Sequence, residues 1–343
     1  MKLKNWSIAT FLLGSFLLGC QPAAAANPLR QTLPISTGTF TQPSSVDKYT
    51  SQEQWDQEFQ AMKAAGMDLW IYQWTADSKN KTTIYPTHFP GYSQISSYDQ
   101  VEWAMQTAQK FGFKVFLGLA FNEDWWDKEG SDVQWLQNEA AQMNQVADEL
   151  YAHYYALYPQ TFAGWYINWE MDNFAGYNTL FWQKNAMVDA LNLVTHHLHQ
   201  LNPALKTSIA PFFNTSGGAG PAAWGNFWKD VMSHSEVDIL MLQDGVGVGH
   251  AKVADLPRWF DAVCGGVTAA GKQCWADLEN FVGEDSTNSP APIKRLVSQH
   301  QILAPRVDRI VTFSFITAMS PVFGNDPAVY QNYLNYVKSV ENQ

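Results

Sequence analysis

Two apolar runs in this chain of 343 residues end on an acid: FAGWYINWE, residues 162–170, on Glu170, and CWADLE, residues 274–279, on Glu279. Two carboxyls delivered at strand ends can divide acid–base work between them. One donates a proton to a leaving oxygen while the other, as carboxylate, attacks or activates water. That is the chemistry of glycosidic-bond cleavage. It asks for a separation of roughly 5–5.5 Å if configuration is retained and roughly 6.5–9.5 Å if it is inverted. Asp172 stands in reserve for the first carboxylate and Asp244 for the second. Gln73, Asn122, Asn168, Asp172, Gln243 and Asp244 are candidate hydrogen-bonders for a ligand. Trp74, Trp125, Trp126 and Phe281 are candidate rings for a sugar face to stack on. Each has a structural alternative: Glu170 bonding loop backbone, Glu279 capping a helix, a loop tryptophan packing beneath its own loop.

Such residues need elements to hold them. From residue 35 onward the chain repeats a short apolar run, a loop and an amphipathic helix. Strands are expected at 35–42, 67–74, 113–121, 162–170, 206–213, 237–243, 274–279 and 309–316. Helices are expected at 52–65, 98–111, 132–157, 180–201, 221–232, 256–269, 290–303 and 327–340, the last capped by Asp326 with Pro327 in its first turn. Eight such units in one domain-sized chain predict an α/β fold, a (β/α)8 or TIM barrel over residues 35–343. An open doubly wound sheet would carry a Gly-rich phosphate turn after the first strand, and GTFTQPSS is not one. The glycine-bearing segment 214–220 follows the fifth strand and lacks the lysine of a phosphate loop.

Loop lengths point to one working face. Helix-to-strand links are terse, down to a single Gly66 or Gly112. Strand-to-helix links are long: 75–97, 122–131, 170–179, 244–255, 280–289 and 317–326. Elaboration at the strand ends alone marks the functional end of a barrel. These loops also hold Glu123, Asp124, Glu284 and Asp285. Residue parity sorts the strands. Tyr166, Asn168 and Glu170 share one face, with Trp165, Ile167 and Trp169 on the other; Trp275, Asp277 and Glu279 share a face opposite Ala276 and Leu278. Glu170 and Glu279 are thus expected to converge at the mouth from opposite walls.

Composition narrows the partner. Aromatic residues make up 14% of the chain, with 15 Trp, more than a core of this size needs. The formal net charge of -11 argues against nucleic acid or an anionic membrane surface. Trp55, Trp103, Trp135 and Trp259 fall within helices and read as core. The histidines are scattered, with only His88 and His250 in the long loops, which argues against a metal-dependent deacetylase. No metal and no cofactor are expected.

The N-terminus reads as a targeting segment over residues 1–19. Lys2 and Lys4 precede an apolar stretch at 6–18 that is too short to be a good membrane span. Leu17-Leu18-Gly19-Cys20 resembles a bacterial lipobox, which implies cleavage before Cys20 and lipidation of its thiol. Gln21 in place of Asp implies sorting to the outer membrane. An ordinary signal peptide cut after Ala24 or Ala26 is the alternative. Residues 20–34 then form a lipidated tether in the cell envelope, and the membrane is a partner through that anchor only. Cys264 and Cys274 lie in a compartment that permits disulfides; a bridge between them is open at this level, since Cα geometry decides it.

With these residues in place, the chain resembles TIM-barrel glycoside hydrolases of the clan A type. That resemblance implies Glu170 as the acid/base and Glu279 as the nucleophile. Those enzymes carry Asn directly before the acid/base, where it binds the sugar 2-hydroxyl; this chain has Trp169 there and Asn168 one residue earlier. GTFTQ, AAGMDLWIYQW, GWYINWEMDN, MLQDGVG and WADLENF more narrowly resemble the domain-of-unknown-function 4434 family, a likeness that covers nearly the whole mature chain and brings no assigned substrate. The expectation is a cell-envelope glycoside hydrolase acting on a polysaccharide or oligosaccharide. A non-catalytic barrel that holds an exopolysaccharide for export or retention is the alternative.

Overall fold

The computed structural model describes residues 33–283, 289–322 and 325–342. The leader, Cys20, nearly all of the tether, and loop acids Glu284 and Asp285 lie outside the described residues. Eight strands close into a barrel: β1 (Gly38–Thr41), β2 (Leu69–Tyr72), β3 (Lys114–Gly118), β4 (Phe162–Ile167), β5 (Lys206–Ile209), β6 (Ile239–Gln243), β7 (Gln273–Glu279) and β8 (Arg309–Phe313). Each pairs in parallel with its neighbours in the chain, and β8 pairs with β1 to close the ring. The crossover helices are α1 (Gln52–Ala64), α2 (Gln100–Phe111), α3 (Val133–Leu150), α4 (Phe181–Leu201), α5 (Pro221–His234), α6 (Leu256–Ala269) and α7 (Ile293–Leu303), with α8 (Pro327–Glu341) closing the chain. This is the (β/α)8 barrel that the alternation of elements predicts.

Several elements are shorter than their sequence patterns, for local reasons. The fifth strand stops at Ile209, two residues before Pro211, which has no N–H to give to a ladder. The run 113–121 divides. After Gly118 the chain leaves the barrel, and Ala120–Phe121 pairs with Ala76–Asp77 in a four-stranded sheet built mainly from the long loop after β2. Helix α7 begins at Ile293 because Ser289–Pro290 pairs instead with Phe281–Val282. Helix α3 ends at Leu150 and runs on as a π-helical turn over Tyr151–Tyr155. The last helix starts as expected, with Asp326 accepting a hydrogen bond from the Ala328 N–H at 2.9 Å.

Parity works as the pleat demands. Phe40, Ile71, Phe116, Tyr166, Met241 and Val311 meet inside the barrel. Trp165, Ile167 and Trp169 pack outward in the layer between strands and helices. Trp275 closes the N-terminal end of the lumen, with the Arg309 guanidinium 5.3 Å from its ring. Burying a large apolar side chain contributes about 1.5–3 kcal/mol, against about 1 kcal/mol net for an ordinary hydrogen bond. Packing, rather than polar contact, therefore sets where the strand tops lie. Trp55 and Trp259 are fully buried, Trp135 nearly so, and Trp103 packs against the same layer.

Two covalent details place the strands that matter. Cys264 in α6 and Cys274 in β7 are disulfide-bonded, with Cα atoms 5.3 Å apart. Gly118 ends β3 where the backbone of the neighbouring strand passes: a Cβ there would stand 2.3 Å from the Gln73 carbonyl oxygen and 2.5 Å from that of Tyr72. No backbone carbonyl can swing aside as a side chain would. Among the described residues no helix is long and apolar enough to cross a membrane.

Gly118→Ala should accordingly destabilise the fold by about 3 kcal/mol or more. Gly265→Ala, on the exposed side of α6 with nothing within 4 Å of its would-be Cβ, should stabilise it by about 0.5–1 kcal/mol. Urea unfolding of the two variants beside the parent checks both signs.

Candidate active site

A cavity of about 800 Å³ opens at the C-terminal ends of the strands. Glu170 and Glu279 both line it, and so do Tyr166 and Asp277, four and two residues earlier on the same inward faces. Gln73 and Gln243 contribute amides. Phe40, Trp74, Trp126, Phe281 and Phe313 contribute rings, and His250 and Thr317 add polar edges. Trp74 is stacked on Phe121, with ring centres 5.2 Å apart.

Glu170 lies just past β4, partly open to the cavity. Its Oε1 accepts a hydrogen bond from Gln73 Nε2 at 2.9 Å. Its main-chain carbonyl accepts one from the indole N–H of Trp125 at 3.2 Å. Burial raises the Glu170 carboxyl above its ordinary pKa, and the Gln73 and Gln243 amides hold that rise in check. A carboxyl kept partly protonated yet reachable is what a general acid requires.

Glu279 ends β7 and is 4% exposed. Its Oε2 accepts the Val248 N–H at 2.9 Å, across a loop held close because Gly247 carries no side chain; a Cβ there would stand 2.8 Å from Oε2. Behind it lies Asp244, fully buried, taking N–H groups from Val246 at 3.0 Å and Glu279 at 3.4 Å and the Gln299 amide at 2.6 Å. Arg295 donates to the carbonyls of Glu279 at 2.8 Å and Phe281 at 2.6 Å, gripping the backbone rather than the carboxylates. Burial and the neighbouring Asp244 push Glu279 up to about 8; burial raises Asp244 to about 6. Asp277 is raised well above the carboxylate range by burial, with Glu279, Asp244 and Glu170 adding to it.

The structure gathers Gln73, Trp74, Trp126, Glu170, Gln243, Glu279 and Phe281 around one cavity and places the other expected site residues elsewhere. Asn122 is a loop brace: its amide donates to Ser78 at 3.1 Å and Glu139 at 2.9 Å. Trp125 is buried beneath its loop, stacked on Trp169 at 6.0 Å, and the exposed neighbour Trp126 takes the cavity position. Asp172 ties its own turn, accepting from the N–H groups of Phe174 at 2.7 Å and Ala175 at 2.9 Å. Asn168 is buried off the cavity wall, with no protein partner for either polar atom of its side chain. Asp244 stands behind the wall as support for Glu279. Asp277, Tyr166 and His250 were missed as site residues. Parity already put the first two on the inward faces, Asp277 two positions before Glu279 and Tyr166 four before Glu170. Among the described residues no group of three or more His, Cys, Asp or Glu side chains is placed to hold a metal ion.

Barrel, long-loop face and paired carboxyls together define a closed (β/α)8 barrel with two glutamates at the mouth of its C-terminal end. It matches, with a TM-score of 0.75 and 23% identity, a chain from Bacteroides thetaiotaomicron provisionally assigned as an alpha-L-fucosidase, over 97% of this chain and 99% of that one. The endo-1,4-beta-mannanase of Rhizomucor miehei matches with a TM-score of 0.59 and 10% identity, over 90% and 95%. A monomeric beta-xylosidase from Caulobacter crescentus matches at 0.56 and 15%, over 91% and 69%. At these identities the likeness is one of fold. No curated protein matches the chain in sequence. The chain belongs to the family described as Domain of unknown function (DUF4434), which matches residues 36–325.

The raised Glu279 has a consequence for stability. Its folded pKa lies above the ordinary 4.5, so the folded state keeps a proton that the unfolded chain gives up. The stability this adds is full below about pH 4.5 and is lost as pH rises toward about 8. Glu279→Gln, which stays neutral, should melt roughly 5 °C above the parent at about pH 9 and level with it at about pH 5. Melting curves across that range check the sign, and a difference that does not move with pH would remove Glu279 as its source.

Proposed function

We propose that this protein is a cell-envelope glycoside hydrolase that cleaves a polysaccharide with Glu170 as acid/base and Glu279 as nucleophile. The observation that carries the reading is two carboxyls from β4 and β7 facing one aromatic-walled cavity at the working end of the barrel. Glu170, anchored through Oε1 by Gln73, lines the cavity with a carboxyl raised by burial, the form that would protonate the leaving group. Burial and Asp244 raise the Glu279 carboxyl; positive charge developing at the anomeric carbon favours its carboxylate form, which the Val248 N–H supports. Trp126, 44% exposed, and Trp74 offer faces for a sugar chain to lie on.

A second reading rests on a different observation. Trp169 stands where related enzymes carry the asparagine that grips the 2-hydroxyl, and it faces outward against Trp125. Asn168 does not reach the cavity wall. A site lacking that grip suits a barrel that holds a glycan without cutting it. Reducing-end release from envelope polysaccharides separates the two. Under the hydrolase reading Glu170→Gln and Glu279→Gln each lower turnover by about 10²–10⁴-fold with binding retained; parent protein that binds glycan and releases no reducing ends supports the holder.

The envelope location is part of the proposal and rests on the lipobox-like end of the leader. Cys20→Ser should abolish incorporation of labelled palmitate and move the protein from the detergent phase to the aqueous phase. Unchanged labelling would remove the anchor.

A further inference from the structure

The cavity wall is rich in carboxyls and has no strong base to match them. Glu123, Glu170, Asp277 and Glu279 line it, and among the described residues no lysine or arginine does. Arg295, packed beneath Glu279, is engaged by two backbone carbonyls and by Gln299 at 3.1 Å. Lys79, on a nearby loop, is paired with Asp124 at 2.7 Å.

Two acceptors of the cavity lining are left without a partner. Asp277 is 3% exposed, yet its Oδ1 has no donor; Gln73 Oε1 is in the same state. One amide hydrogen of each cavity glutamine is engaged, Gln73 by Glu170 at 2.9 Å and Gln243 by the Ala210 carbonyl at 2.8 Å. The donors among the lining residues, such as the Tyr166 and Thr317 hydroxyls and the Trp74 and Trp126 indoles, are neutral, so the positive charge that the acids lack has to come from the ligand. The upward displacement of the Asp277 carboxyl has the same origin, a buried acid among acids with no countercharge.

We propose that the substrate is a glycan of hexosamines with free, protonated amino groups, and that an ammonium seats against Asp277. The inference rests on the glycosidase reading above and names its substrate class. A hydroxyl brings one donor and no charge. An ammonium brings three donors and the missing charge. N-acetylation deletes that charge and adds a carbonyl to a wall already rich in acceptors, so the acetylated sugar is disfavoured by the same wall. The net charge of -11 also draws a cationic chain toward the protein.

Calorimetric titration of the full chain with the hexamers of glucosamine, N-acetylglucosamine and glucose, at about pH 6 where a sugar amine is protonated, tests this. The glucosamine hexamer should bind at least tenfold tighter than either of the others, and the preference should shrink as salt is raised. Asp277→Asn should bring it to within about threefold of the acetylated hexamer. Equal or tighter binding of the acetylated or neutral hexamer overturns the inference, as does a preference indifferent to salt or no binding of the glucosamine hexamer. Reducing-end release from envelope polysaccharides, measured alongside, reports separately on the glycosidase reading, which survives if neutral or acetylated glycans are cut.

Discussion

A closed sheet has no spare face. Once eight parallel strands form a ring, each residue looks either into the lumen or out toward the helices, and a step of one residue exchanges the two. Everything at the working end follows from that constraint. Tyr166 points inward and is held by packing against Phe40 at 5.0 Å. With Tyr166 inward, Trp165 and Ile167 must pack outward beneath the helices, and two positions beyond Ile167 the indole of Trp169 is locked against Trp125. Glu170 is then brought to the mouth by geometry. The same logic on β7 links Trp275 at the base to Asp277 and Glu279 above it.

The arrangement comes at an energetic cost. Asp244, Asp277 and Glu279 are each no more than 4% exposed, and among the described residues no lysine or arginine forms a salt bridge with them. Buried carboxyls of this kind stay neutral or unstable rather than ionised. Backbone N–H groups from the loop after β6 and the Gln299 amide offset part of the cost, and Arg295 secures the chain that carries the acids. The burial between strands and helices supplies the stability that lets such a cluster persist. A structural purpose alone would be met better by apolar residues of the same size.

What was legible in the sequence divides along the same line. Strand order, inward parity and the two glutamates could be read because period-2 alternation and short apolar runs are local signals. Loop side chains could not. Asn122, Trp125 and Asp172 have the right types for a ligand site, but their directions are set by partners distant in the chain or by turn geometry: Glu139, Trp169, and the N–H groups just after Asp172. The four-stranded sheet of two-residue strands above β2 and β3 has too little length for periodicity to register. Gln299 reaches Asp244 from the helix after β7, a contact that no spacing announces. Asp277 was the avoidable omission, since the parity that selected Glu279 selected it equally.

The stacked pair Trp125 and Trp169 has a further consequence. Their ring planes lie within 9° of each other, 6.0 Å apart, and the Trp125 N–H is tied to the Glu170 carbonyl. Two indoles so close and so fixed couple their electronic transitions. The near-ultraviolet circular dichroism of the folded chain therefore carries a contribution from an indole pair that is tied to the backbone bearing Glu170. Trp126, beside them in the chain but open to solvent, emits from a different environment. The molecule thus holds two optical gauges of its own mouth, one for the frame and one for whatever enters.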